Sequence, residues 1–239
     1  MNSPFVTASL STVQVNAALA VVPGQLFSLW ALTADDVAAD SWIAQAAAQL
    51  SPEQRCFNRL LFAAFGAALL PAEASVDFPG YLAALSDASF RARLVEAAQD
   101  AGEPALHTAT EAALTDPAAL QQQIVEHLRS LWETLLAPEW QRHTRLLTRM
   151  TSALNELIFS QPQWQAANPY HALRFILQTE PDDRQLAQLA GVRRIQLVLS
   201  PHLQSHLAHL DQGKTLWVVR TFDPQLLRRD PLRRAEVLG

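Results

Sequence analysis

The sequence predicts a mainly α-helical fold with a small antiparallel β-sheet, an α+β arrangement in which a multi-helix bundle surrounds a long helical pair. Three observations lead there. Apolar residues recur at helical spacing through residues 117–160, the period changes to two after residue 193, and the other alternating stretch lies near the start, at residues 13–22. A two-stranded hairpin is marginal alone, so the sheet is expected to take strands from both chain ends.

The helical pair comes first because the other helices need it. Asp116-Pro117 is a start signal: the Asp side chain accepts from a free amide of the first turn, and proline suits the first helical position. Ile124, Leu128, Leu131 and Leu135 then form one stripe. Ala137-Pro138 is expected to break the run into two helices. Trp140, Leu147, Thr151, Leu154 and Ile158 carry the second stripe, widened by Leu146, Met150, Ala153 and Leu157.

The remaining elements follow in order. Val13 to Val22 reads as a strand closed by Pro23-Gly24, and Gln25 to Leu32 as a short helix. Asp40 or Ser41 caps a helix that ends at Leu50. Ser51-Pro52-Glu53-Gln54 combines a cap, a proline and a glutamine in capping-box position, and opens a helix to about Leu70. Cys56, Leu60, Ala63 and Ala67 are expected on its inner face, which makes Cys56 a buried small hydrophobe. Shorter helices follow around Tyr81, Leu82 and Leu85, then Phe90 to Ala98 with an end at Gly102, then Leu106 to Leu114. Beyond the central pair, Asn168-Pro169 opens a helix through Leu177, and Asp182 or Asp183 caps one that finishes at Gly191. Arg194 to Ser200 and Thr215 to Phe222 alternate as strands, with Asp211-Gln212-Gly213 as turn chemistry before the second.

Composition bounds the function. The chain has 239 residues, about half of them hydrophobic, enough for a sizeable core. One cysteine excludes an internal disulfide and fits a reducing compartment; with no apolar run of membrane-spanning length and no basic leader, the sequence reads as cytoplasmic. A net charge of −5 argues against a surface built to neutralise phosphates. Charge is uneven nonetheless: Arg220, Arg228, Arg229, Arg233 and Arg234 crowd the last twenty residues.

Candidate chemistry is sparse. The seven glycines form no phosphate-binding loop, dinucleotide fingerprint or nucleophile elbow. Trp132, Glu133 and Trp140 gather around the Pro138 junction with His127 and His143 about a turn away, and these five are the candidate ligand-binding residues. Acid–base catalysis by His127, Glu133, Glu139 or His143 is the alternative, that of a free-standing enzyme or binder for a small apolar ligand, but no nucleophile or oxyanion loop accompanies them. His202, His206 and His209 would share a face of a helix as a metal candidate. Pro201 and the preceding strand count against that helix, so neither metal nor cofactor is assigned.

The segment Leu131-Trp132-Glu133-Thr134-Leu135-Leu136-Ala137-Pro138-Glu139-Trp140, the late strand ending in Pro201-His202, and Gly213-Lys214-Thr215-Leu216-Trp217-Val218-Val219 together resemble the N-terminal region of long bacterial ArsR-like transcription regulators. The resemblance implies a helical regulatory domain, ligand-sensing or dimerising, ahead of a winged helix-turn-helix that reads DNA. No such reader and none of the familiar ArsR metal-binding cysteines occur in this sequence. Residues 1–222 are accordingly expected to form the sensor and dimerisation domain, and residues 223–239 a basic connector. A homodimer, a small-molecule effector and DNA contact only through the missing domain follow from the same resemblance, with no membrane partner and no enzymatic activity.

Overall fold

The structure is a computed structural model, describing residues 13–33, 41–71, 77–100, 107–160, 169–177, 180–182, 189, 191–202, 206–210 and 215–221. The described elements run β1 (Gln14–Ala18), α1 (Val21–Ala31), α2 (Trp42–Gln49), α3 (Pro52–Leu69), α4 (Phe78–Ala84), α5 (Ala88–Asp100), α6 (His107–Thr115), α7 (Pro117–Leu131), a π-helical turn (Trp132–Leu136), α8 (Ala137–Ser160), α9 (Pro169–Leu177), β2 (Arg194–Ser200), β3 (His206–Leu210) and β4 (Thr215–Thr221). The protein is mainly helical with a small sheet, as its periodicities require. Residues 183–188 of the helix expected from Asp182 or Asp183, the Asp211-Gln212-Gly213 turn and the 223–239 connector lie outside the described residues. Gly191, the expected end of that helix, has φ 77°, a left-handed conformation that suits glycine.

The sheet is where expectation and structure part. Its order is β1-β2-β4-β3: β1 pairs parallel with β2, β2 parallel with β4, and β3 antiparallel with β4. The predicted antiparallel sheet is therefore wrong for the three strands that carry the core. For β2 and β4 the reason is β3, which follows β2 in the chain and reverses its direction before β4 reverses it again. The long helical run between β1 and β2 returns the chain parallel to its start. The prediction that the N-terminal strand pairs with the late ones holds, with Val15 opposite Ile195.

Helices cover both faces of this sheet. Val198, Trp217 and Val219 face a core built from α1 to α7, while Val15, Ala17, Ile195, Leu197, Leu216 and Val218 face Ile158 of α8 and Ala172, Leu173 and Ile176 of α9. A sheet covered twice explains why β2 is buried from Ile195 through Ser200 although its sequence alternates. The central helices likewise do not make the packed pair of a bundle. α7 and the π turn contribute Ile124, Leu128, Leu135 and Leu136 to the first core, and α8 contributes Leu147 and Ile158 to the cores on the other side.

Pro138 does not stop the helix. The Ala137 amide donates to the Trp132 carbonyl, five residues back, so the turn before the proline is wider than an α turn. Widening relieves the clash between the proline ring and the carbonyl four residues earlier, and the chain stays helical through it. Pro23-Gly24 likewise sits inside α1, whose first turn tolerates a proline, and the strand ends sooner, at Ala18.

Local signals fared better at α2 and α3. The Ser41 hydroxyl accepts from Ala44, and Ser51 and Gln54 form the full capping box. The inner face of α3 is nevertheless rotated from expectation: Asn58, Leu61, Phe65 and Ala68 are buried and Cys56 is exposed. A buried asparagine made the difference, because its side chain is satisfied inside and an apolar stripe drawn from sequence passes it by. Leu146 of α8, expected in the core, is also exposed at 44%.

Candidate functional site

Glu139 is the second residue after Ala137 at the start of α8, so the π turn sets the direction of its side chain. It is buried, and its carboxylate has two different surroundings. Oε2 accepts from the Arg142 guanidinium at 2.6 Å. Oε1 lies 3.2 Å from His143 Nδ1 and 3.7 Å from His202 Nε2. His143 is one helical turn on, and its Nδ1 also lies 3.1 Å from the Glu139 carbonyl oxygen.

His202 comes from the other end of the chain. It follows the carboxyl end of β2, where its backbone amide donates to the buried Ser200 hydroxyl at 3.2 Å. Trp42, at the first position of α2, stacks on its ring at 4.1 Å and 22°. The His143 ring meets it edge-on at 5.6 Å. Burial, aided by His143 and Arg142, pushes the His202 imidazole down to about 4, so its ring is neutral at neutral pH. The donor atoms of Glu139, His143 and His202 all lie within 4.8 Å of one another.

The sequence-derived candidates divide. His143 belongs to this cluster. His127 does not: its Nε2 meets Asn58 Oδ1 at 3.2 Å, its ring stands edge-on to Phe57, and burial lowers it to about 4. Trp132 stacks on Phe78 at 4.6 Å within the first core, Glu133 is exposed, and Trp140 packs beside Leu147, Met150 and Leu199. The acid–base group of His127, Glu133, Glu139 and His143 is thus not one constellation. His206 and His209 fall in strand β3, where the helical spacing that grouped them with His202 does not apply.

Sequence reasoning missed the combination rather than the residues. Glu139 and His202 were each visible, one at a helix junction and one at a strand end, but nothing local links them. Trp42 carried no signal beyond its place on an apolar helix face. Set against known proteins, the chain matches no protein-family model, no curated protein and no solved structure.

Proposed function

We propose that this chain is the regulatory part of a bacterial ArsR-like transcription regulator, a cytoplasmic, homodimeric, effector-sensing domain that leaves DNA reading to a winged helix domain outside this sequence. One observation carries the reading: the cluster of Glu139, His143 and His202 joins the start of α8 to the carboxyl end of β2. In sheets covered by helices on both faces, ligands bind in the crevice beyond the carboxyl ends of parallel strands. β4 lies beside β2 and precedes the basic residues 223–239, so a ligand that draws α8 toward β2 acts on the strand next to that connector. The sequence resemblance supplies the biological class, and the separation of His127 and Glu133 from the cluster weighs against the enzyme alternative.

The test is hydrogen exchange in Leu216 to Val219 of β4 for the purified chain, for Glu139→Gln, and for Ser51→Ala as a destabilised control away from the cluster. The reading expects Glu139→Gln to change β4 protection more than Ser51→Ala does, and expects this chain alone not to shift operator DNA. Equal effects of both variants, or a tight sequence-specific DNA complex, would sink it.

A further inference from the structure

We propose that Glu139, His143 and His202 bind a divalent transition-metal ion of the Zn2+ type, through Glu139 Oε1, His143 Nδ1 and His202 Nε2, with the fourth position open. The assignment names the effector class for this cluster and rests on reading it as the sensing site.

The donor set selects the ion. Two imidazoles and one carboxylate suit a borderline first-row cation, whereas Ca2+ and Mg2+ take oxygen ligands. Fe2+ also uses two histidines and a carboxylate, but the usual order of affinities places Zn2+ above it. Metal–ligand bonds of about 2.0–2.2 Å put tetrahedral neighbours about 3.3–3.6 Å apart. The separations of 3.2 Å and 3.7 Å from Oε1 bracket that range, and the 4.8 Å limit on the whole set means that side-chain shifts of at most about 1.5 Å close it.

The surroundings fit the same reading. Arg142 holds Oε2 and leaves Oε1 free to face the histidines, the kind of outer contact that orients a metal-bound carboxylate. Its side chain is 69% exposed, so water screens its repulsion of a cation. Trp42 fixes the His202 ring by stacking, and the Ser200 contact fixes its backbone. Between Oε1 and His202 Nε2, 3.7 Å is too long for a hydrogen bond, so the two atoms face each other without bonding directly. A cation between them bridges that gap. His143 then adopts the tautomer protonated on Nε2, and its Nδ1 contact with Glu139 is replaced by the shared metal. Three protein ligands leave a place for water or a small donor, as in exchangeable rather than closed structural zinc sites.

The experiment titrates the metal-free full chain with Zn2+ against a chromophoric chelator, and with Co2+ followed by visible absorption. One ion per chain is expected, with a Co2+ ligand-field spectrum of a four-coordinate site and no thiolate charge-transfer band. His143→Ala and His202→Ala should each weaken Zn2+ binding more than tenfold, Arg142→Ala about tenfold, and His206→Ala with His209→Ala not at all. Thermal unfolding of each variant without metal identifies any that fails to fold. The Co2+ spectrum of the unaltered protein gives an answer that needs no variant. Absence of stoichiometric binding, a thiolate band from Cys56, or unchanged affinity in folded His143→Ala and His202→Ala overturns the assignment. Each of those results leaves the regulatory reading to its own exchange experiment, where Glu139→Gln is compared without metal.

Discussion

Asn155 of α8 is bonded to Ala17 of β1 twice, accepting the Ala17 amide at 2.9 Å and donating to the Ala17 carbonyl at 2.7 Å. Among the described strands β1 is at the edge of the sheet, and this side chain satisfies two of its backbone groups. One side chain thus acts as a short further strand and ties α8 to the sheet. Asn155→Ala is expected to cost about 1–3 kcal/mol, because both strand groups lose their partner in a half-buried setting. Urea unfolding measures the loss, and hydrogen exchange at Ala17 should rise before that of Leu197. An unchanged midpoint would show that water replaces the side chain without cost.

His127 links stability to pH. The Asn58 amide nitrogen donates to the Leu29 carbonyl at 2.7 Å, which leaves Oδ1 to accept from His127. Burial lowers the imidazole to about 4 from the ordinary 6.5, so the unfolded chain takes up a proton before the folded one does. Stability is therefore full above about pH 7 and falls as pH drops from about 6.5 to about 4, by roughly 2 kcal/mol from this group after allowing for its partial exposure. His202 is lowered in the same direction and adds to the slope. In His127→Gln, which keeps a donor for Asn58, the difference between urea midpoints at about pH 7.5 and about pH 5 should shrink but not vanish. An identical difference in both proteins would count against a neutral buried His127.

Ser51 and Cys56 separate a local signal from a tertiary one. Ser51→Ala removes half of the capping box and should lower stability by about 1 kcal/mol, read from thermal unfolding. Cys56, one turn later on the exposed side of α3, should react with a chromogenic thiol reagent in the native protein nearly as fast as after denaturation. Protection of that thiol in the native state would return it to the inner face.

Leu128 and Leu146 make a matched pair on α7 and α8. Leu128 is fully buried in the first core, so Leu128→Ala should cost about 2–5 kcal/mol. Leu146 is 44% exposed, and Leu146→Ala should stay within about 0.5 kcal/mol. Equal losses in denaturant titrations would mean that the Leu146 face is covered in solution, as in a dimer.

What the sequence by itself determined about this protein is what neighbouring residues decide among themselves. Ser51-Pro52-Glu53-Gln54 had to start a helix because its cap, proline and glutamine act within one turn, and Ile124, Leu128, Leu131 and Leu135 had to share a face because 3.6 residues make a turn. The alternation at Gln14–Ala18, Arg194–Ser200 and Thr215–Thr221 likewise announced strands. Tertiary structure alone decided the rest. β2 and β4 run parallel because β3 reverses the chain once more, and alternation is blind to direction. Asn58 lies inside α3 because Leu29 and His127 satisfy it from other helices, contacts that no local pattern encodes. Glu139, His143 and His202 meet because a π turn before Pro138 carries the helical run from one face of the sheet to the other, bringing the start of α8 to the carboxyl end of β2. Periodicity fixes which side of an element is apolar; only packing both layers against one sheet fixes which polar groups are left facing each other at its edge.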